Sequence, residues 1–337
     1  MPTEMMLEVR SRHDPCVVDG IEIPSDDFVR LSNLLNEPID STKATINALL
    51  ASLSKTHQEG RIELRFAPFF DAHIDAPGAW NLQGDQAFAK THPLSWNYLD
   101  PSSPNHLFKT LQKRVYLHRL RQWLDELVPT ARVLDVGGGI GRFGVEWLQR
   151  GYRLALCDPN PNALSLALGH LAAAQGSYSV WQLGAERMSP FADESVDLVS
   201  AFEVMCYLSD PMDGLRETAR IMRSGGLCFV SVESSLGAEV RGQVSEGLPE
   251  MTFAKEGDVW VHFYTRDSLA EQLSAVGLTV ENIMGTQYVL DGPQHDSVDF
   301  DRLGDPTYQN DLIRQDQQID EAGSLQPRAW LAVARKP

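Results

Sequence analysis

Cysteine is scarce in this chain and basic residues are outnumbered. Four cysteines occur in 337 residues, Cys16, Cys157, Cys206 and Cys228, and they form neither a CxxC pair nor a Cys/His ligand cluster. This spacing argues against a disulfide framework and against a metal site, and leaves reduced thiols in a cytoplasmic protein as the expectation. Twenty-nine Lys and Arg stand against 46 Asp and Glu, a formal charge of −17. The summed field repels polyanions, so neither nucleic acid nor an anionic membrane surface is the expected partner. The basic cluster "KTLQKR" reads as a solvated helix face. Long hydrophobic runs are missing too. No stretch of about 18 apolar residues exists, and "MPTEMMLEVRSRHDPC" lacks the apolar core of an export signal. Internal repeats and low-complexity tracts are also absent.

What is present is an ordinary globular composition, 43% apolar, enough for a sizeable core. Residues 1–105 read as a separate helical and aromatic cap domain. "PSDDFVRLSNLLNE" and "DSTKATINALLASLSK" carry apolar residues at helical spacing behind Asp or Ser caps, whereas "RIELRFAPFFDAHIDAPGAWNLQ" is aromatic, irregular and turn-rich. A helix over about 105–127 follows. From 131 the chain alternates short apolar strands ("RVLDV", "YRLALCD", "YSVWQLG", "VDLVSAFEV", "LCFVSVE") with helical segments, as a parallel sheet covered on both faces requires. Residues 106–337 are thus one α/β domain. The polar stretch from Asp291 to about Gln326 reads as a surface insertion, a solvated loop with some helix.

The segment "ARVLDVGGGIGRFG", residues 131–144, concentrates five glycines behind Asp135. Gly139, Gly141 and Gly144 spell GxGxxG, and Asp158 stands at the tip of the next strand. Such a loop serves any adenosine-containing cofactor: glycines let the backbone approach, a helix N-terminus offers N–H donors, and the carboxylate accepts from ribose hydroxyls. Asp135 discriminates. Pyrophosphate would be repelled by an acid inside the first strand, whereas a sulfonium cofactor with an ammonium group would be attracted.

"LDVGGGIG" resembles motif I of class I S-adenosylmethionine-dependent methyltransferases, and "ALCDPNPNAL" resembles their motif II. "ERMSPFADESVDLVSAFEVMCYLSDP", "LRETARIMRSGGLCFVSVE" and "FYTRDSLAEQLSAVGLTVENI" follow in that family's order. The resemblance covers about 105–290 and the last strand. It implies a Rossmann-like sheet of strand order 3214576 with the last strand antiparallel, and S-adenosylmethionine as cofactor. By the same resemblance Asp135, Gly137, Gly139 and Gly141 hold the amino-acid end, and Asp158 the ribose, with Pro159 and Asn160 beside the adenosine. The family often has an acid after the third strand for the adenine amine. Gly184 stands there instead, so Ala185 or Glu186 takes over. Tyr207 occupies a position where many relatives carry histidine.

Among the side chains after the fourth and fifth strands, Glu203, Met205, Cys206, Tyr207 and Glu233, the candidates to orient or deprotonate a nucleophile are Tyr207 and Glu203. Trp96 and Tyr98, in the loop before the entry helix, are the aromatics placed to touch ligand, since aromatic faces attract a sulfonium. Two reactions fit. The first is methyl transfer to a small molecule. The second is closure of the cofactor's own α-amine on its γ-carbon, which yields azetidine-2-carboxylic acid and methylthioadenosine and needs no acceptor. A non-catalytic cofactor-binding protein is a third reading. A monomer or homodimer is expected.

Overall fold

The structure is a computed structural model and describes residues 5–9, 62–66, 93–174, 176–235, 251–256, 259–290, 294 and 297–337. The helices expected over 24–37 and 40–55, Cys16, and the aromatic positions Phe69, Phe70 and Trp80 lie outside the described residues. Contacts group the chain into two units: Met1–Asp71 with Pro129–Gly184, and Ala72–Val128 with Ala185–Pro337.

The first unit holds strands β1 (Met5–Val9), β2 (Ile62–Phe66), β3 (Arg132–Val136), β4 (Arg153–Cys157) and β5 (Tyr178–Gln182) in the order β1-β2-β5-β4-β3. All pairings are parallel except β1 with β2. The two outer strands come from the expected cap, and β2 lies in a segment that reads as irregular in sequence. In β3, Val133 to Val136 are all buried, as a strand covered on both faces requires. The helix Arg142–Gln149 follows and buries Phe143, Trp147 and Leu148. Gly144 is dictated by packing: a Cβ there would lie 3.1 Å from both Leu154 and Leu171. A second helix, Pro161–Ala174, joins β4 to β5.

The second unit opens with a turn of helix at Pro93–Trp96 and the long helix His106–Leu124, here α1. It then runs through β6 (Val196–Phe202), a 3-10 turn at Met205–Tyr207, the helix Pro211–Ile221, β7 (Met222–Glu233), a hairpin of β8 (Met251–Glu256) and β9 (Val259–Tyr264), the helix Arg266–Ala275, β10 (Thr279–Thr286), the helix Pro306–Ala322, here α2, and β11 (Ala329–Arg335). The order is β6-β7-β11-β10; β6 and β7 are parallel, and β11 is antiparallel to both its neighbours. With β5-β4-β3 of the first unit, this gives the two runs, 3-2-1 and 4-5-7-6, of the Rossmann-like class I methyltransferase sheet expected from the sequence. Strand β7 begins earlier than expected, at Met222, because Met222 pairs with Val196 ahead of a register shift that accommodates the "RSGG" turn.

One expectation needs correction. The 291–326 stretch carries the expected helix but is not merely solvated: α2 is capped by Asp305 with Pro306 at its first turn and ended by Gly323 in a left-handed conformation. Leu312 and Ile313 join Leu111 and Val115 of α1 and Tyr288, Val289 and Leu290 in one buried cluster. Only a narrow apolar stripe faces inward, and the helix also buries Gln309 and Asp316, so its composition conceals its burial. The "KTLQKR" cluster is likewise only partly solvated, since Leu111 and Gln112 are buried and Arg114 bonds to Gln309 and Asn310 on α2.

Candidate active site

In the first unit the loop leaving β3 takes a left-handed backbone at Gly137 (φ 59°), Gly139 (φ 53°) and Gly141 (φ 88°), conformations that side-chain-bearing residues adopt at a cost. Gly138 is excluded from growing by contact: a Cβ would stand 2.6 Å from Leu156 and 2.9 Å from Asp135 Oδ2. Asp135 is 2% exposed in an apolar strand. Asp158, just beyond β4, accepts from the Gly139 N–H at 2.9 Å and the Asn160 N–H at 2.8 Å, tying the glycine loop to the next turn. Asn160 in turn accepts from Asn162 N–H at 3.0 Å, and the Pro159 carbonyl accepts from Gln182 Nε2 at 3.3 Å. Burial pushes the neighbouring Cys157 thiol up, which keeps it inert. Two buried acids flanking a glycine loop suit an ammonium and a ribose diol, and disfavour pyrophosphate. The residues present therefore fit S-adenosylmethionine.

The second unit carries the other sequence candidates, in three separate groups. Ala185 is buried, and burial raises the Glu186 carboxyl above the usual range, with Asp213 and Asp210 adding to the effect and the Glu186 backbone and Arg187 opposing it. Trp96 and Tyr98 share a turn, Tyr98 N–H to Trp96 carbonyl at 2.9 Å, docked on α1 where His106 Nδ1 lies 3.0 Å from the Tyr98 carbonyl. Lys109 Nζ stands 5.9 Å over the Tyr98 ring.

Glu203 and Tyr207 enter different networks. Glu203 follows β6 with φ 59°, a conformation worth about 1–3 kcal/mol of strain outside glycine. Its N–H donates to the Ser231 carbonyl (3.0 Å) and hydroxyl (2.9 Å), anchoring it on β7. Its Oε1 accepts from Gln112 Nε2 at 3.0 Å, Tyr116 OH at 3.2 Å and Gln287 Nε2 at 3.4 Å. The donors are interlocked, since Gln112 Nε2 also donates to Gln287 Oε1 at 2.7 Å and Gln287 Nε2 donates to Tyr116 OH. The Tyr116 ring is fixed by stacking on Phe202 at 5.4 Å. Tyr207, on the 3-10 turn, has its hydroxyl 3.5 Å from Glu233 Oε1, at the end of β7. Glu233 is buried and paired with Arg328.

Gln112, Tyr116, Gln287 and Arg328 are site neighbours that sequence reading did not single out. Gln112 had a signal: it falls on the buried stripe of α1 with Leu111, Val115 and Leu120, where a polar residue must find partners. Gln287 and Arg328 had none. Among the described residues no group of three metal-ligating side chains occurs, and no helix is long and apolar enough to cross a membrane.

Residues 107–283 match the family model described as a methyltransferase domain. The chain belongs to the class I S-adenosylmethionine-dependent methyltransferase family. This methyltransferase is similar to a ubiquinone biosynthesis O-methyltransferase of Stutzerimonas stutzeri (strain A1501), 29% identical over 59% of this chain and 85% of that protein. It is also similar to a demethylmenaquinone methyltransferase of Corynebacterium glutamicum (strain R), 31% identical over 47% of this chain and 67% of that protein. Among solved structures, a Burkholderia thailandensis 1,6-didemethyltoxoflavin-N1-methyltransferase aligns at TM-score 0.45 and 16% identity, covering 81% of this chain and 95% of that one.

Proposed function

We propose that the protein methylates a small molecule, in the cytoplasm, at a hydroxyl or related nucleophile. When bound, S-adenosylmethionine supplies an activated methyl on a sulfonium; the methyl–sulfur bond breaks as the methyl–acceptor bond forms, the acceptor proton leaves, and S-adenosylhomocysteine remains. In this reading Asp135 and the loop at Gly137, Gly139 and Gly141 hold the ammonium end, Asp158 the ribose, Pro159 and Asn160 the adenosine, and Ala185 with Glu186 the adenine. Trp96 and Tyr98 are the aromatics assigned to touch ligand.

The observation that carries the reading is Glu203. A strained carboxylate oriented by three buried side-chain donors, at the carboxyl end of the family's fourth strand, is where ligands of such sheets lie and where an acceptor's proton must be steered. Tyr207, backed by the Glu233–Arg328 pair, is the second group able to orient an acceptor. The relatives named as a ubiquinone biosynthesis O-methyltransferase and a demethylmenaquinone methyltransferase make phenols and quinols the acceptor class to offer first.

The test is mass spectrometry of the protein incubated with S-adenosylmethionine, alone and with catechol or hydroquinone. The expected products are S-adenosylhomocysteine and a methylated acceptor, formed only when acceptor is present. Methylthioadenosine and a cyclic amino acid appearing without acceptor would replace this reading with ring closure of the cofactor.

A further inference from the structure

Among the described residues three non-glycine positions have left-handed backbone, Glu194, Glu203 and Gln287, and two of these, Glu203 and Gln287, touch through their side chains across 84 residues of sequence. Gln287 (φ 63°) immediately follows β10. Three consecutive amides at this turn converge on one buried carboxylate of α2. Gln287 N–H donates to Asp316 Oδ2 at 3.3 Å, while Tyr288 and Val289 N–H donate to Oδ1 at 2.7 and 3.4 Å.

We infer that Asp316 and Gln287 are positioning residues for Glu203: Asp316 fixes the 287–289 turn, the turn aims the Gln287 amide, and that amide sets the orientation of the carboxylate after β6. The inference rests on Glu203 being the acceptor-side group. Capping alone would explain Asp316 but not Gln287. At φ 63° glycine or asparagine is the easier residue. A glutamine is kept there at a cost, and its amide ends on Glu203, Tyr116 and Gln112. The helix in the polar 291–326 stretch thereby gains a role in catalysis, because it sets the acceptor side of the site without touching substrate.

Gln287→Gly tests this directly, because it removes the amide while easing the backbone and leaving the turn N–H groups for Asp316. The expected result is a folded protein whose melting temperature falls modestly, because the lost buried bonds to Gln112, Tyr116 and Glu203 outweigh the eased backbone, with unchanged S-adenosylhomocysteine affinity by calorimetry and catechol methylation at least tenfold slower through kcat. Turnover equal to wild type would overturn the inference. A double-mutant cycle of Gln287→Gly with Glu203→Gln, read by urea unfolding, supplies an arm independent of activity. Coupled free energies are expected, and additive ones would overturn the contact. If wild-type protein methylates neither catechol nor hydroquinone, the reading of Glu203 as acceptor-side group loses its support, and the cycle still decides whether Gln287 is energetically coupled to Glu203.

Discussion

The glycine loop and the Glu203 cluster are two polar constructions built in opposite ways. The loop is local: Asp135, the glycines, Asp158 and Asn160 fall within 135–160, and the backbone does most of the bonding, as in the Gly139 and Asn160 amides on Asp158. The cluster is assembled from Gln112, Tyr116, Glu203 and Gln287, with bonds that span 84 to 175 residues and run side chain to side chain. A local backbone cradle suits a ligand that every member of a family shares. A cluster of distant side chains can be changed one residue at a time, and suits the part of the reaction that differs among relatives.

The largest effect is expected where the comparison is sharpest. Glu203→Gln keeps shape and removes the carboxylate, so turnover should fall about 100-fold or more, the range of a lost acid–base or orienting group. S-adenosylhomocysteine affinity, measured by calorimetry, should not move. Equal losses in both would show that cluster and loop do not act separately.

The converse substitution follows. Asp158→Ala should weaken S-adenosylhomocysteine by about 10- to 100-fold, because charge-assisted hydrogen bonds are worth about 1.5–3 kcal/mol each and the loop loses its tie at Gly139. Asp135→Ala should weaken it in the same range by removing the buried acid at the other end. Unchanged affinity in both variants would take the cofactor away from this loop.

This contrast also explains which features are legible in the sequence. Asp135 and Asp158 are, because an acid ending an apolar strand, followed by glycines, has few structural uses, and because both lie one turn from the same loop. The sheet is legible for a similar reason: "RVLDV" and "VDLVSAFEV" are short, apolar and regularly spaced. Gln287 is not. Its role depends on a backbone angle and on Asp316, which sits in "PTYQNDLIRQDQQIDEA", a helix whose burial depends on pairwise satisfaction of polar groups rather than on hydrophobic pattern. Strand β2 escapes sequence reading because its pairing with β5 is not written in its own five residues.

Asp316 gives the smallest and most specific prediction. Burial is the main cause that lifts its carboxyl from the ordinary 3.8 to about 6, against the backbone N–H groups of Tyr288, Val289 and Gln287 and the Arg119 charge, all of which lower it. Arg119 approaches from α1, while the Tyr288 hydroxyl and the Gly285 N–H bond to the other α2 acid, Asp320. A carboxyl raised on folding contributes stability that is fully present below the unfolded value and is lost as pH rises through the folded one. Wild-type protein should therefore gain about 1 kcal/mol relative to Asp316→Asn between pH 7.5 and 5.5, since asparagine does not titrate. Urea unfolding at the two pH values measures it. A flat difference would mean that Asp316 keeps one protonation state across this window rather than titrating near 6. With its pKa in the ordinary carboxylate range, Asp316 would offer the three amides at 287–289 a full charge at both pH values, and the tie between α2 and the Glu203 cluster would keep charge-assisted strength across the window.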